Sequence, residues 1–167
     1  AINGKTVKKG KGKPGESVSG EFTVSEGMTT FAINTVSDKG AGKVIRINRY
    51  IGYDAPGAIT GLNAFVSDGR TVNISWEAPQ NSLNGGFLDP QSVSYRVVRQ
   101  PGNVSASNGY KKTEFKQSLS SKKYAVSRYE ITPMSHGHEG PVLRTEYLAT
   151  GPGLALPWMG CFSDTET

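Results

Sequence analysis

His136, His138 and Glu139 fall within four consecutive positions and form the one cluster of metal-ligand residue types in the chain. On a strand, alternate residues share a face, and imidazole nitrogens bind zinc. Two features weigh against a metal centre. The cluster sits in a glycine-flanked hairpin loop, His136-Gly137-His138-Glu139-Gly140, and no fourth ligand is evident beside it. With both histidines in this loop, a serine–histidine–aspartate device could be built only there, and no Gly-x-Ser-x-Gly elbow occurs. The chain also lacks a phosphate loop and a convincing carboxylate pair, and the Gly10-x-Gly12-x-x-Gly15 spacing falls in a loop rather than in the strand-to-helix turn of a dinucleotide fingerprint. We therefore expect no catalytic residue, no resident metal and no cofactor. Asn73-Ile74-Ser75 and Asn103-Val104-Ser105 fit a glycosylation sequon, but Asn73 reads as an outward-facing strand residue.

Binding chemistry is a separate matter. Lys5, Lys8, Lys9, Lys11 and Lys13 crowd the first thirteen residues of a chain with net charge +5. Such a run could hold a polyanion, but no aromatics lie nearby to stack bases. It reads as a solvated turn around Gly10, Gly12, Pro14 and Gly15, and nucleic acid is not expected as a partner. Aromatic side chains placed to stack on a glycan are restricted to Tyr53, Phe87 and Tyr110. The candidate interaction positions are thus His136, His138, Glu139, Phe87, Tyr110, Lys8, Lys9 and Lys11. No Arg-Gly-Asp occurs, and no apolar run approaches the roughly 18 residues of a membrane span.

These residues hang on a β framework. Hydrophobic residues make up 35% of the chain, with 21 glycines and 9 prolines, and the apolar positions alternate rather than cluster. The clearest case is Val72-Asn73-Ile74-Ser75-Trp76, a period-two strand with one buried face, ended by Ala78-Pro79. Tyr95-x-Val97 and Tyr129-x-Ile131 repeat the pattern. The expected strands cover residues 58–65, 71–76, 93–100, 113–117, 128–134 and 142–150, with a weak segment near Val104 and Leu119 plugging the core. The lone Cys161 permits no internal disulfide, so packing must hold the fold together.

Residues 1–51 read as the second half of a similar unit. Asn3-Gly4 is a tight turn, residues 17–24 carry Phe22 and Val24 at strand spacing, and residues 29–36 carry Phe31 and Ile33. Residues 38–42 make a hairpin loop. Residues 43–51 then alternate Ile45, Ile47 and Ile51 with Arg46, Asn48 and Tyr50. Phe31-Ala32-Ile33 matches Tyr129-Glu130-Ile131, and each is followed by a glycine-rich hairpin and a long strand ending at Gly52 or Gly151. The spacing from Ile33 to Gly52 is 19 residues and from Ile131 to Gly151 it is 20, which indicates a tandem repeat. Residues 53–57 form a short linker, stiffened by Pro56.

A tryptophan strand, then Tyr-x-Val, then Tyr-x-Ile, with no cysteine pair, resembles the fibronectin type III module. The set Ile59-x-x-Leu62, Val72-x-Ile74-x-Trp76-x-x-Pro79, Asn84-Gly85-Gly86-x-x-Asp89-Pro90, Tyr95-x-Val97, Phe115, Tyr129-x-Ile131 and Glu139-Gly140 resembles the tandem modules of secreted and surface proteins of Bacteroidetes. The resemblance implies an all-β chain of tandem fibronectin type III (immunoglobulin-like) sandwiches, the first one incomplete. Residues 1–54 would be the C-terminal part of a first module, 55–151 a complete second one, and 152–167 a linker. Leu156-Pro157-Trp158 and Phe162 resemble the opening of a jelly-roll domain. The resemblance further implies a piece of a longer extracellular or cell-surface protein. Its role would be non-catalytic: a structural or adhesive spacer, or else an accessory region of a secreted enzyme. Its partners would be other domains of the same chain and a protein or glycan ligand. Tyr129 would then act as a tyrosine corner, its hydroxyl bonding backbone in the preceding loop.

Overall fold

The computed structural model describes residues 1–120 and 122–153, and the jelly-roll resemblance at residues 154–167 lies outside them. The N-terminal region holds β1 (Gly27–Ile33), β2 (Val36–Ser37), β3 (Gly40–Ala41) and β4 (Ile45–Ile51). The strands that follow are β5 (Thr60–Ser67), β6 (Thr71–Glu77), β7 (Ser94–Gln100), β8 (Val104–Tyr110), β9 (Glu114–Ser118), β10 (Ala125–Ser135), β11 (His138–Glu139), β12 (Leu143–Arg144) and β13 (Leu148–Thr150).

The later strands form two antiparallel sheets. One has the order β5-β6-β9. The other has the order β11-β10-β7-β8, with β12 and β13 also pairing β10. This is the sheet division of a fibronectin type III, immunoglobulin-like sandwich, as the resemblance implied. Val72, Ile74 and Trp76 of β6 meet Tyr95, Val97, Tyr129 and Ile131 across the core, with Ile59, Val93 and Phe115 closing it. Trp76 sets its ring edge-on to Tyr95, at 5.1 Å between centroids, and Phe115 leans on Tyr129 at 6.1 Å. Burial pushes the Tyr95 and Tyr129 hydroxyls above the ordinary phenol pKa. Leu119 packs against the core edge, as expected.

Five details depart from the sequence reading. The segment near Val104 is a full strand, because its backbone continues the β7 edge through two register shifts. The last strand breaks into β12 and β13. Ser127 pairs Leu148 while Glu130 pairs Arg144, so three steps on β10 face four on its partner. That extra residue is the one that lengthens the spacing to Gly151. The break is satisfied by Thr145, whose backbone N–H donates to the Tyr129 carbonyl while its Oγ1 accepts from the Tyr129 N–H, both at 2.9 Å. The Tyr129 hydroxyl donates to the Gln117 side chain at 2.7 Å, not to loop backbone, because β9 lies directly opposite. Asn73 faces out of the core yet is buried, its Nδ2 donating to Ser67 Oγ and the Thr71 carbonyl. The first strand starts two residues later than expected and is irregular between Thr60 and Asn63.

The N-terminal region forms an antiparallel ribbon with similar pairing. β1 pairs β4 with Phe31 opposite Ile47 and Ile33 opposite Ile45. On its other edge β1 meets the chain start, through Asn3 N–H to Thr30 O and Ala32 N–H to Ala1 O, each 2.9 Å. Ile2 also pairs Lys5 around the Asn3-Gly4 turn. In the sandwich, β10 is likewise flanked by β7 and by the last strand, and Arg99 pairs Val104 around the following turn. The expected strand at residues 17–24 is absent. Its counterpart β9 is held by a ladder to β6, and among the described residues nothing offers the N-terminal segment such a partner.

Candidate functional site

The residues that draw together at one end of the sandwich come from three places. These are the crossing segment after β4, the loop between β6 and β7, and the turn between β10 and β11. The crossing segment is stitched to the loop by backbone. Phe87 N–H donates to Gly52 O at 3.1 Å and Asp54 N–H to Phe87 O at 2.9 Å; Leu83 N–H donates to Ala55 O at 2.8 Å and Gly57 N–H to Asn81 O at 2.7 Å.

At the centre of the stitch is Asp54, with no exposed surface. Its carboxylate accepts four N–H groups: Ala55 N at 2.7 Å, Asn84 N at 2.7 Å, Asn84 Nδ2 at 2.9 Å and Gly86 N at 3.0 Å. Burial alone would raise the pKa of this aspartate. The donors outweigh it, led by the Asn84 side chain, and hold the group below its ordinary value. The Asn84-Gly85-Gly86 stretch thereby acquires a physical meaning. Asn84 gives two donors, Gly85 adopts φ +83°, and Gly86 gives the fourth donor while leaving no room for a side chain. A Cβ there would run into the Tyr50 ring and sit 2.9 Å from Asp54 Cβ. Tyr50 belongs to β4, so this packing joins the N-terminal ribbon to the sandwich. Gly140 does a similar job from below, because a Cβ on it would strike the Pro56 carbonyl and crowd Pro133.

Beside the clasp lies an aromatic cluster. Tyr53 pairs Phe87 in a parallel bridge, with ring centroids 5.6 Å apart and planes tilted by 48°. One face of Tyr53 stacks on His136 at 3.7 Å and 16°. His136 occupies the left-handed region at φ +47°, and its Nε2 lies 3.3 Å from Asp89 Oδ2. Asp89 also turns the chain, accepting from Gln91 N–H at 3.1 Å through Oδ1. Phe87 keeps 60% of its surface exposed and Tyr53 38%.

Of the positions singled out in the sequence, Tyr53, Phe87 and His136 are brought together here, with Tyr53 between the other two. His136 and His138 do not act as a strand pair, because the left-handed turn at His136 breaks the alternation, and His138 instead pairs Ser135 across the hairpin. Glu139 is occupied by a two-pronged ion pair with Arg96, at 2.6 and 3.1 Å, which holds its pKa below the usual carboxylate range. Tyr110 is not a free aromatic. Its ring meets Phe115 edge-on at 5.8 Å, and its hydroxyl donates to the Glu114 carbonyl. Lys8, Lys9 and Lys11 are exposed in a segment without strand pairing, and Lys8 Nζ donates to the Ser19 carbonyl at 2.9 Å. No cluster of three or more metal-ligand side chains occurs among the described residues.

Sequence reasoning missed Asp54 and Asp89. An aspartate before Ala-Pro-Gly looks like any solvated turn residue. The available signal was the Asn-Gly-Gly stretch, which concentrates N–H donors and needs an acceptor.

The chain has counterparts among solved structures. It is similar to domains d3–d4 of the rat CD45 extracellular region, at 12% identity and TM-score 0.49 over 87% of this chain and 77% of that one. It is similar to an Fn3-like protein from Clostridium thermocellum, at 23% identity and TM-score 0.41 over 59% of this chain and 96% of that one. It is also similar to the chicken CNTN1 FN1–FN3 domains, at 13% identity and TM-score 0.41 over 75% and 44%. No family model matches the chain. No curated protein matches it either.

Proposed function

We propose that this chain is a non-catalytic spacer from a multidomain extracellular or surface protein, built of consecutive fibronectin type III modules of the Bacteroidetes type. In this reading residues 1–54 are the C-terminal part of one module and 55–151 a second, and the partners are other domains of the same chain. The observation that carries it is the Asp54 clasp. A free linker leaves two domains to swing. Here the crossing segment belongs to the hydrogen-bond network of the sandwich, and Tyr50 packs on Gly86. Such a joint transmits orientation along a row of modules and spaces whatever the row carries.

The face of β1 and β4 that lacks a covering sheet supports the module assignment. Ile33, Ile45 and Ile47 are exposed on one side of the ribbon beside half-buried Phe31, at positions whose counterparts in the sandwich are covered by a second sheet. A preceding stretch of chain supplying that sheet would complete the unit. Backbone ¹⁵N relaxation tests the joint. Amides of residues 52–57 and 81–87 should show order parameters of about 0.85, as in the core strands. Values below about 0.6 there would make it a flexible linker and remove the support for a spacer that fixes orientation.

A further inference from the structure

The loop between β6 and β7 presents different chemistry on its two sides. Gly86, Leu88 and Pro90 line a shallow groove of about 580 Å³, shared with Gln80, Asn81 and Ser82. The intervening Phe87 and Asp89 turn instead toward Tyr53 and His136. We propose that this second side is a binding site for a neutral sugar ring, with Phe87 as the stacking platform and Asp89 as the hydroxyl acceptor.

Three observations carry the proposal. First, Phe87 is a large apolar side chain left mostly exposed at a place where its backbone is fixed at both ends by hydrogen bonds to Gly52 and Asp54. A rigid, solvent-facing ring loses little conformational entropy on binding. Second, Tyr53 packs against Phe87 at 5.6 Å and stacks on His136 at 3.7 Å, and Asp89 lies against the His136 ring nitrogen. The two aromatics keep an open angle of 48°. Third, the Asp89 carboxylate stands at the edge of the cluster, 3.3 Å from His136 Nε2. A pyranose has a face of C–H groups, which packs on an aromatic ring, and an equatorial belt of hydroxyls, which a carboxylate accepts. That combination suits a neutral sugar and disfavours an acidic one, which would bring a second negative charge toward Asp89. Tyr110 takes no part, being packed at the core edge.

Affinity electrophoresis of the whole chain tests the proposal in gels containing xylan, mannan, mixed-linkage β-glucan or polygalacturonate. Retardation is expected in at least one of the three neutral polysaccharides and not in polygalacturonate. Phe87→Ala should weaken it about tenfold or more, in line with the loss of one aromatic contact, while leaving the thermal midpoint within a degree or two. Phe87→Trp should retain it. Asp89→Asn should weaken it less. Gln80→Ala, in the groove on the other side, should leave it unchanged. No retardation by any neutral polysaccharide overturns the proposal. So does retardation that survives Phe87→Ala, or that appears only with polygalacturonate. Capture of peptides through Phe87, without any polysaccharide binding, would make the cluster a protein-docking site and equally refute it. The spacer reading stands or falls separately, on the relaxation of residues 52–57.

Discussion

Ile33 and Ile131 occupy corresponding positions in two antiparallel strand pairs, β1–β4 and β10–β12. Ile33 is 60% exposed and Ile131 is fully buried. Both follow an aromatic two residues earlier, Phe31 or Tyr129, and both face an apolar partner on the next strand, Ile45 or Leu143. Backbone pairing alone therefore forms the ribbon but does not bury it. What separates the two regions is the sheet β5-β6-β9, which brings Val72, Ile74, Trp76 and Phe115 down on Tyr129 and Ile131. The ribbon has the ladder without the lid. Stability should follow the lid, since burial of apolar surface is the dominant favourable term and an isolated hairpin is marginal in water.

The largest test of this contrast is Trp76→Ala. Removing a buried aromatic that touches Tyr95 should cost about 3–5 kcal/mol, a large share of a domain's total of about 5–15 kcal/mol. Urea unfolding should show a much lower midpoint for the sandwich. An unchanged midpoint would mean that β6 is not the lid.

Asp54→Ala comes next. It strands three backbone N–H groups and the Asn84 amide, and should cost about 2–3 kcal/mol and loosen the joint. The same carboxylate gives a pH signature. Its folded pKa lies below that of the unfolded chain, so its contribution is fully present above about pH 4 and is lost as pH falls through the folded value. Acid unfolding followed by fluorescence should be flatter for Asp54→Asn than for the parent chain. Equal pH dependence would show that the clasp is not ionised in the way described.

The smallest effect is expected on the ribbon face, which an incomplete first module leaves without its covering sheet. Ile45→Thr together with Ile47→Thr should change stability by less than about 0.5 kcal/mol and improve solubility, because neither side chain is covered. A loss comparable to that of Trp76→Ala would mean that the ribbon face is packed in solution.

The contrast also shows what a sequence can disclose. Val72, Ile74 and Trp76 declared themselves because a half-buried strand imposes period two on side-chain type. The repeat of Phe31-x-Ile33 in Tyr129-x-Ile131 was visible for the same reason. Its one-residue difference in spacing proved to be the break between β12 and β13. The strand at 104–110 was hidden because its sequence, Val-Ser-Ala-Ser-Asn-Gly-Tyr, offers little apolar alternation and is recruited by the β7 edge. The opposite error arose at residues 17–24, where Phe22 and Val24 have strand spacing but no ladder partner. Pairing is a property of two segments, and spacing in one cannot report it. The clasp was hidden for a related reason, since Asp54 acquires its role only when Asn84 and Gly86 arrive thirty residues later in the chain.

The β1–β4 pair lacks the covering sheet that β10 has, and amide hydrogen exchange on the whole chain reads that difference strand by strand. Amides of β1 that are bonded to β4 should exchange on the order of a hundredfold or more faster than those of β10 bonded to β7, since the first open locally and the second only with the sandwich. Equal protection of the two strands would contradict the account, and would show that the ribbon shares in a cooperative core of its own.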